Sequence, residues 1–137
     1  MKRLFPFLAA VMATFSCNTD NPFLTEWDTP YGIPDFKSIQ EKHYVPAIEA
    51  GIAQQQGEID AIVADTALPT FANVVEAYER SGAILDRVTS VLFNVSESDA
   101  TESLQNIVAQ VLPLMSEHSD NIFMNPAFFA KVETLYN

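Results

Sequence analysis

The sequence predicts an all-α protein, in which antiparallel helices follow an extended, proline-rich segment. Apolar residues recur at helical spacing in several stretches between residues 43 and 137. No stretch alternates apolar and polar residues over a length that would form a sheet. Hydrophobic residues make up 48% of the 137 residues, so the chain has enough apolar side chain to bury a core.

Residues 1–16 are predicted to be a bacterial export signal. Lys2 and Arg3 give a positive start, and residues 4–13 form an apolar stretch too short for a permanent membrane span. Cys17 follows Ser16 at the end of this region, which resembles the lipobox of bacterial lipoproteins. We therefore expect an exported chain, either anchored to the membrane through a lipid on Cys17 or periplasmic. The alternative is an ordinary secretory signal with an incidental cysteine.

Residues 17–42 are predicted to form an extended segment that wraps a larger body. Three prolines forbid a continuous helix there, yet the segment is rich in large apolar side chains. A free linker would not carry them, so we expect the segment to bury Phe23, Leu24, Trp27, Tyr31, Ile33 and Phe36.

Residues 43–137 are predicted to form a helical domain. The first helix has Pro46 in its first turn, and a loop follows from Asp65 to Pro69. Thr70 is predicted to cap a second helix that ends near Asn94. A third helix runs from about residue 100 to 121, with Pro113 expected to kink it, and Asn125-Pro126 is predicted to start a fourth.

Composition excludes several functions. The formal net charge of −11 argues against nucleic acid as a partner, because phosphate binding requires a basic face. With Cys17 as its one cysteine, the sequence has no internal disulfide and no cysteine-rich metal site. It contains neither a glycine-rich phosphate loop nor a Gly-x-Ser-x-Gly nucleophile elbow.

The two histidines, His43 and His118, do not predict a zinc site. A helical zinc site needs a second histidine four residues away, and the positions four before and four after His118 are Leu114 and Ile122. We therefore predict surface or packing histidines, and no catalytic or metal-binding residue in this chain. Glu76 and Arg80, four apart, predict a helix-surface ion pair rather than an acid–base pair.

Several stretches together resemble the opening of bacterial peptidyl-dipeptidases of the Dcp type, which belong with oligopeptidase A to the thimet-oligopeptidase-like zinc metallopeptidases. The longest is residues 21–36 (NPFLTEWDTPYGIPDF), followed by 43–47 (HYVPA), 58–62 (EIDAI), 69–74 (PTFANV), 79–82 (ERSG), 85–88 (LDRV), 118–120 (HSD) and 125–129 (NPAFF). The likeness is colinear over nearly the whole chain after residue 20.

The resemblance implies the N-terminal portion of a larger all-helical zinc peptidase that removes dipeptides from peptide C-termini. In that family, the zinc ligands and the catalytic glutamate lie in a His-Glu-x-x-His helix of the C-terminal half. No functional residue carries over to this chain, which lacks the motif. The partners implied are the missing C-terminal catalytic region, in the same gene or a separate chain, and peptides in the full-length enzyme.

Two alternatives to a truncated, inactive peptidase fragment remain open at this point. A small exported helical lipoprotein that acts as a binding or interaction module would be monomeric and fold cooperatively, whereas a fragment would expose apolar helical faces and aggregate. An enzyme acting through His43 or His118 alone would have to show chelator-sensitive peptide cleavage.

Overall fold

A computed structural model describes residues 21–136. The predicted signal peptide and Cys17 lie outside these residues. Within them the chain is helical and has no strand, which confirms the all-α prediction. The α-helices are α1 (Tyr44–Ala64), α2 (Glu76–Glu79), α3 (Ala83–Ser98), α4 (Glu102–Phe123) and α5 (Pro126–Tyr136).

None of the helices in the described range is long and apolar enough to cross a membrane.

The start of α1 confirms the prediction from Pro46, which lies in its first turn. A 3₁₀ turn, Glu41–His43, leads into the helix, and the Nδ1 atom of His43 accepts a hydrogen bond of 3.0 Å from the backbone N–H of Gln40. His43 is thus a capping residue. Burial, together with the charge of Lys42, lowers its pKa.

The second predicted helix is broken in the structure, so the prediction of one continuous helix is wrong. Thr70 does cap its start, because its Oγ1 accepts from the backbone N–H of Asn73 at 3.2 Å. A π-helical turn, Phe71–Val75, and the short α2 follow, and α3 begins only after Gly82. Gly82 has a φ of 76°, a left-handed conformation that stops a helix and suits glycine.

The helix α3 extends four residues further than predicted. Short polar side chains near Asn94 predicted a break there, but in the structure they bond within the helix. Asn94 Nδ2 donates to the Ser90 carbonyl at 2.7 Å, and Ser98 Oγ donates to the Asn94 carbonyl at 2.5 Å. Both side chains thus satisfy their polar groups on the preceding turn, and the helix ends at Ser98.

Both of the last two helices begin at a side-chain cap, and the cap at Asn125 is the one that the sequence predicted. Thr101 Oγ1 accepts from the backbone N–H of Leu104 at the start of α4, and Pro113 lies inside that helix. Asn125 Oδ1 accepts from the backbone N–H groups of Ala127 and Phe128 at the start of α5.

The extended segment confirms its prediction in its first half and contradicts it in its second. Phe23 is fully buried, with its ring centroid 5.4 Å from that of Tyr44, and Leu24 and Trp27 pack beside it. Tyr31, in contrast, is 99% exposed, and Ile33 and Phe36 are more than half exposed. Tyr31 and Gly32 both have positive φ angles, so the backbone turns there, and these side chains are left without cover from residues 21–136.

The core consists of two hydrophobic clusters. The first, which we call the wrapped cluster, joins the extended segment to α1, α3 and α4; its buried members are Phe23, Tyr44, Ala47, Ile48, Val88, Val91, Leu92, Leu104 and Val111. The second, which we call the α5 cluster, joins the far ends of α1 and α4 to the π-helical turn and α5; its buried members are Ile59, Ile62, Val74, Ile122 and Phe128.

Candidate functional site

A layer of polar groups lies between the two clusters. On α1, Gln55 and Glu58 come after the last residue of the wrapped cluster and before Ile59 of the α5 cluster. On α4, His118 lies in the same way between Met115 and Ile122. The helix is interrupted before α3, and this interruption places the backbone of Ser81 and Gly82 beside the polar layer.

Hydrogen bonds link this layer across three parts of the chain. Gln55 Nε2 donates to Ser81 Oγ at 3.2 Å, and Ser81 Oγ donates to the Tyr78 carbonyl at 2.7 Å. Glu58 Oε2 accepts from the backbone N–H of Gly82 at 2.7 Å. These bonds satisfy the backbone and side-chain groups that the helix break exposes, so they stabilise the break.

His118 is buried, and its Nε2 atom lies 2.9 Å from Gln55 Oε1. Because that oxygen is only an acceptor, the histidine ring carries a proton on Nε2 and donates it. Burial lowers the pKa of His118, which favours the neutral ring. Its role in this structure is to connect α4 to α1 within the core.

The described residues do not fit a zinc site. No three His, Cys, Asp or Glu side chains between residues 21 and 136 are grouped so that they could hold a metal ion. The helical neighbours of His118 at the metal-ligand spacing are Leu114 and Ile122, which have no donor atom for zinc. No catalytic step through zinc can therefore be derived from this part of the chain.

The predicted ion pair between Glu76 and Arg80 is present on the surface. Arg80 Nη1 lies 3.2 Å from Glu76 Oε2, and both side chains are largely exposed. Such an exposed pair contributes little to stability.

Arg87 has a structural role that sequence reasoning missed. Its Nη1 donates to the carbonyl oxygens of Phe23 at 3.1 Å and Thr25 at 2.8 Å, and its guanidinium lies 5.2 Å from the Trp27 ring centroid. It thereby fastens the extended segment to α3. The contacts of Arg87, Gln55 and Glu58 join residues 24 to 64 positions apart, so no local spacing signals them.

A groove of about 860 Å³ lies between the extended segment and α3. Trp27 and Phe36 form apolar walls, and Asp86, Ser90 and Asn94 supply polar atoms from α3. Its lining contains no histidine, lysine or cysteine.

The end of α4 and one side of α5 form an uncovered apolar surface. We call this the α4–α5 surface; its members are Phe123, Met124, Phe129, Val132 and Tyr136. All five side chains are more than a third exposed, and the ring centroid of Phe123 lies 5.8 Å from that of Tyr78, which packs against the α5 cluster.

Comparison with known proteins shows what this chain is similar to. The chain is 38% identical over 116 residues to a dipeptidyl carboxypeptidase of Salmonella typhimurium, and 36% identical over 118 residues to the enzyme of that name from Escherichia coli. It is a homologue of these peptidases. The homologous region covers 85% and 86% of this chain, respectively. Oligopeptidase A of Salmonella typhimurium is 27% identical over 99 residues. No protein-family model matches the chain.

These comparisons confirm the resemblance to an N-terminal part of this peptidase group. The homologous region is only 17% of the length of each dipeptidyl carboxypeptidase and 14% of oligopeptidase A. The helical arrangement described above is therefore comparable with a small part of those enzymes.

Proposed function

We propose that this chain is the N-terminal helical wall of a peptidyl-dipeptidase-like zinc peptidase, which releases dipeptides from peptide C-termini. The observation that carries the proposal is the colinear homology, which covers 85% of this chain but only 17% of a dipeptidyl carboxypeptidase. The remaining part of such an enzyme supplies the catalytic residues in this proposal. The role of this chain is to form one packed side of the peptidase body.

In this proposal, zinc is bound by the remaining part of the enzyme. When bound by a His-Glu-x-x-His motif, zinc activates a water molecule for attack on a peptide bond. The residues described here contribute helical packing in this proposal.

The proposal is tested by reading the gene beyond the codon for Asn137 and by assaying its products. We expect an open frame, in phase or after one shift or as a separate neighbouring gene, that contains His-Glu-x-x-His. The 137-residue chain alone should release no dipeptide from a blocked tetrapeptide, and addition of the motif-bearing product should give chelator-sensitive release. Unrelated sequence on both sides, with a monomeric and cooperatively folded chain, would instead favour a binding module.

We also propose that the chain is exported and anchored through Cys17. Support comes from the sequence alone: a positive start, a short apolar stretch and a small residue before the cysteine. Acyl chains on one residue give membrane affinity that grows with the number of buried CH₂ groups.

The anchor is tested by metabolic labelling with an alkyne fatty acid in a bacterial host. The wild-type chain should carry label and sediment with membranes, whereas Cys17→Ser should carry none and remain in the soluble periplasmic fraction. A wild-type chain that is cleaved and released without label would identify an ordinary secretory signal.

A further inference from the structure

The α4–α5 surface is more exposed than a self-sufficient helical domain would leave it. Phe123 and Phe129 are each 60% exposed, Met124 is 78% exposed and Tyr136 is 91% exposed. Phe123 ends α4, Met124 lies in the short turn that follows, and Phe129 and Tyr136 lie on α5. Exposed apolar patches with several large side chains mark interaction sites in soluble proteins.

The spacing on α5 indicates what shape of partner this surface fits. Phe129, Val132 and Tyr136 stand three and seven positions apart, so they form one ridge along the helix. The buried side of α5, with Phe128 and the half-buried Leu135, is already occupied by the α5 cluster. A ridge of this length packs into the groove of another helix.

The charge distribution indicates an interface that is buried permanently. Between residues 121 and 136 the charged side chains are Lys131 and Glu133, in a chain with 18 acidic and 7 basic residues. Lys131 Nζ donates to the Asp65 carbonyl at 2.6 Å, so it is directed toward the α1 end. Depletion of charge and enrichment in aromatic residues and methionine are typical of the cores of stable interfaces.

We propose that the α4–α5 surface is the docking site for a helix of the catalytic region of the same peptidase. This inference rests on the proposed function, and it adds which face of the chain makes the contact. The occupant follows from the relatives, in which more than four-fifths of the length lies outside the part homologous to this chain. A polypeptide of that length has to pack against some face of this domain, and this face has the composition for it.

The experiment uses a chimera of the Escherichia coli dipeptidyl carboxypeptidase in which residues 21–137 of this chain replace the homologous segment. Dipeptide release from a blocked tetrapeptide and the half-life at elevated temperature are measured. The test variant carries Phe129→Lys and Val132→Lys, which place two charges on the ridge. The matched control is Ala130→Lys, an exposed position on the other side of the same helix.

We expect the chimera and its Ala130→Lys variant to be active, and the double variant to lose activity or half-life by about tenfold or more, as for a truncated interface hot spot. An active chimera that tolerates the double variant would overturn the docking site and leave the proposed function standing. A folded chimera with no activity would contradict the proposed function itself.

A second measurement keeps the inference testable if the chimera is insoluble. The chain without its predicted export signal, residues 17–137, should bind an apolar dye and self-associate weakly, and the double variant should bind at least about threefold less dye with an unchanged helical circular dichroism spectrum. A wild-type chain that binds no dye would overturn the docking site. A tight wild-type dimer that the double variant dissociates would identify a second copy as the occupant and also overturn the proposal.

Discussion

The two hydrophobic clusters differ in how completely the chain covers them. The wrapped cluster is enclosed by three helices and by the extended segment, whose Phe23 has no exposed surface. The α5 cluster has five buried residues, and aromatic side chains beside it remain exposed on α4 and α5. One end of the domain therefore has the packing of a protein interior, and the other leaves large apolar side chains exposed to solvent.

This difference shows that the extended segment covers the wrapped cluster. It has no regular secondary structure over most of its length, yet it supplies a fully buried aromatic residue and is fastened by Arg87. No equivalent strap among the described residues crosses the α4–α5 surface. Covering a helical face thus takes either such a strap or another helix, and the second end of this domain has neither within residues 21–136.

The largest expected effect comes from removing the central side chain of the wrapped cluster. Phe23→Ala should lower the free energy of unfolding by about 3–5 kcal/mol, because it leaves a cavity where three aromatic rings meet. Urea unfolding of the 137-residue chain, followed by circular dichroism, measures the change.

The matched control for this substitution is Phe129→Ala on the α4–α5 surface. Because that ring is mostly exposed in this chain, its loss should change the free energy of unfolding by less than about 1 kcal/mol. Equal losses for the two variants would show that both ends are packed alike, which would remove the contrast between the clusters.

Replacing the two glycines of α1 by alanine should change the free energy of unfolding by a smaller amount, and in opposite directions. An added Cβ at Gly51 would lie 2.8 Å from the backbone nitrogen of Leu85 on α3, so Gly51→Ala should cost about 1–3 kcal/mol through overpacking. At Gly57 nothing lies within 4 Å of an added Cβ. Gly57→Ala should therefore stabilise α1 by about 0.5–1 kcal/mol.

The two alanine variants together test whether the wrapped cluster is a closely packed interior. Both substitutions improve helix propensity equally, so the difference between them isolates the contact between α1 and α3. Unfolding midpoints that rise for both variants would show that the two helices have room to separate.

The sequence predicted most of the helices because their signals are local. Pro46, Thr70 and Asn125-Pro126 each act within a few residues, and the structure has the expected helix starts at or near all three. The break at Gly82 was missed because the apolar stripe continues through it in the sequence. What stops the helix there is the left-handed backbone at Gly82, held by Glu58 from 24 residues earlier in the chain.

The contacts of the polar layer could not be predicted from the sequence either, because they too join residues that are far apart along the chain. His118 was predicted to be a surface or packing histidine, and its burial confirms the packing role, but nothing near it in sequence indicated Gln55. Likewise, the apolar residues of the extended segment were correctly predicted to pack only up to Trp27. Which apolar side chains a segment buries depends on where its backbone turns, and composition does not determine that.

The smallest effect concerns the polar layer that separates the two clusters, and it appears only at acidic pH. Burial lowers the pKa of His118 in the folded chain below the ordinary value of 6.5. As pH falls below about 6.5, the unfolded chain takes up a proton that the folded chain does not, so protons favour unfolding. Stability from the neutral ring is thus fully present above pH 6.5 and declines toward the folded pKa. Glu49 and Glu117 line a groove together with His118, and burial is the cause of the lowered pKa of His118.

His118→Gln keeps a hydrogen-bond donor for Gln55 and removes the titration. Urea unfolding at pH 5, 6, 7 and 8 should show that the wild-type chain loses more stability between pH 7 and 5 than His118→Gln does, with parallel curves above pH 7. His43→Gln is the control, because that ring is less buried and should change the slope less. Parallel wild-type and His118→Gln curves throughout would mean that water reaches the layer, and the two clusters would then be separated by a hydrated gap instead of a packed polar joint.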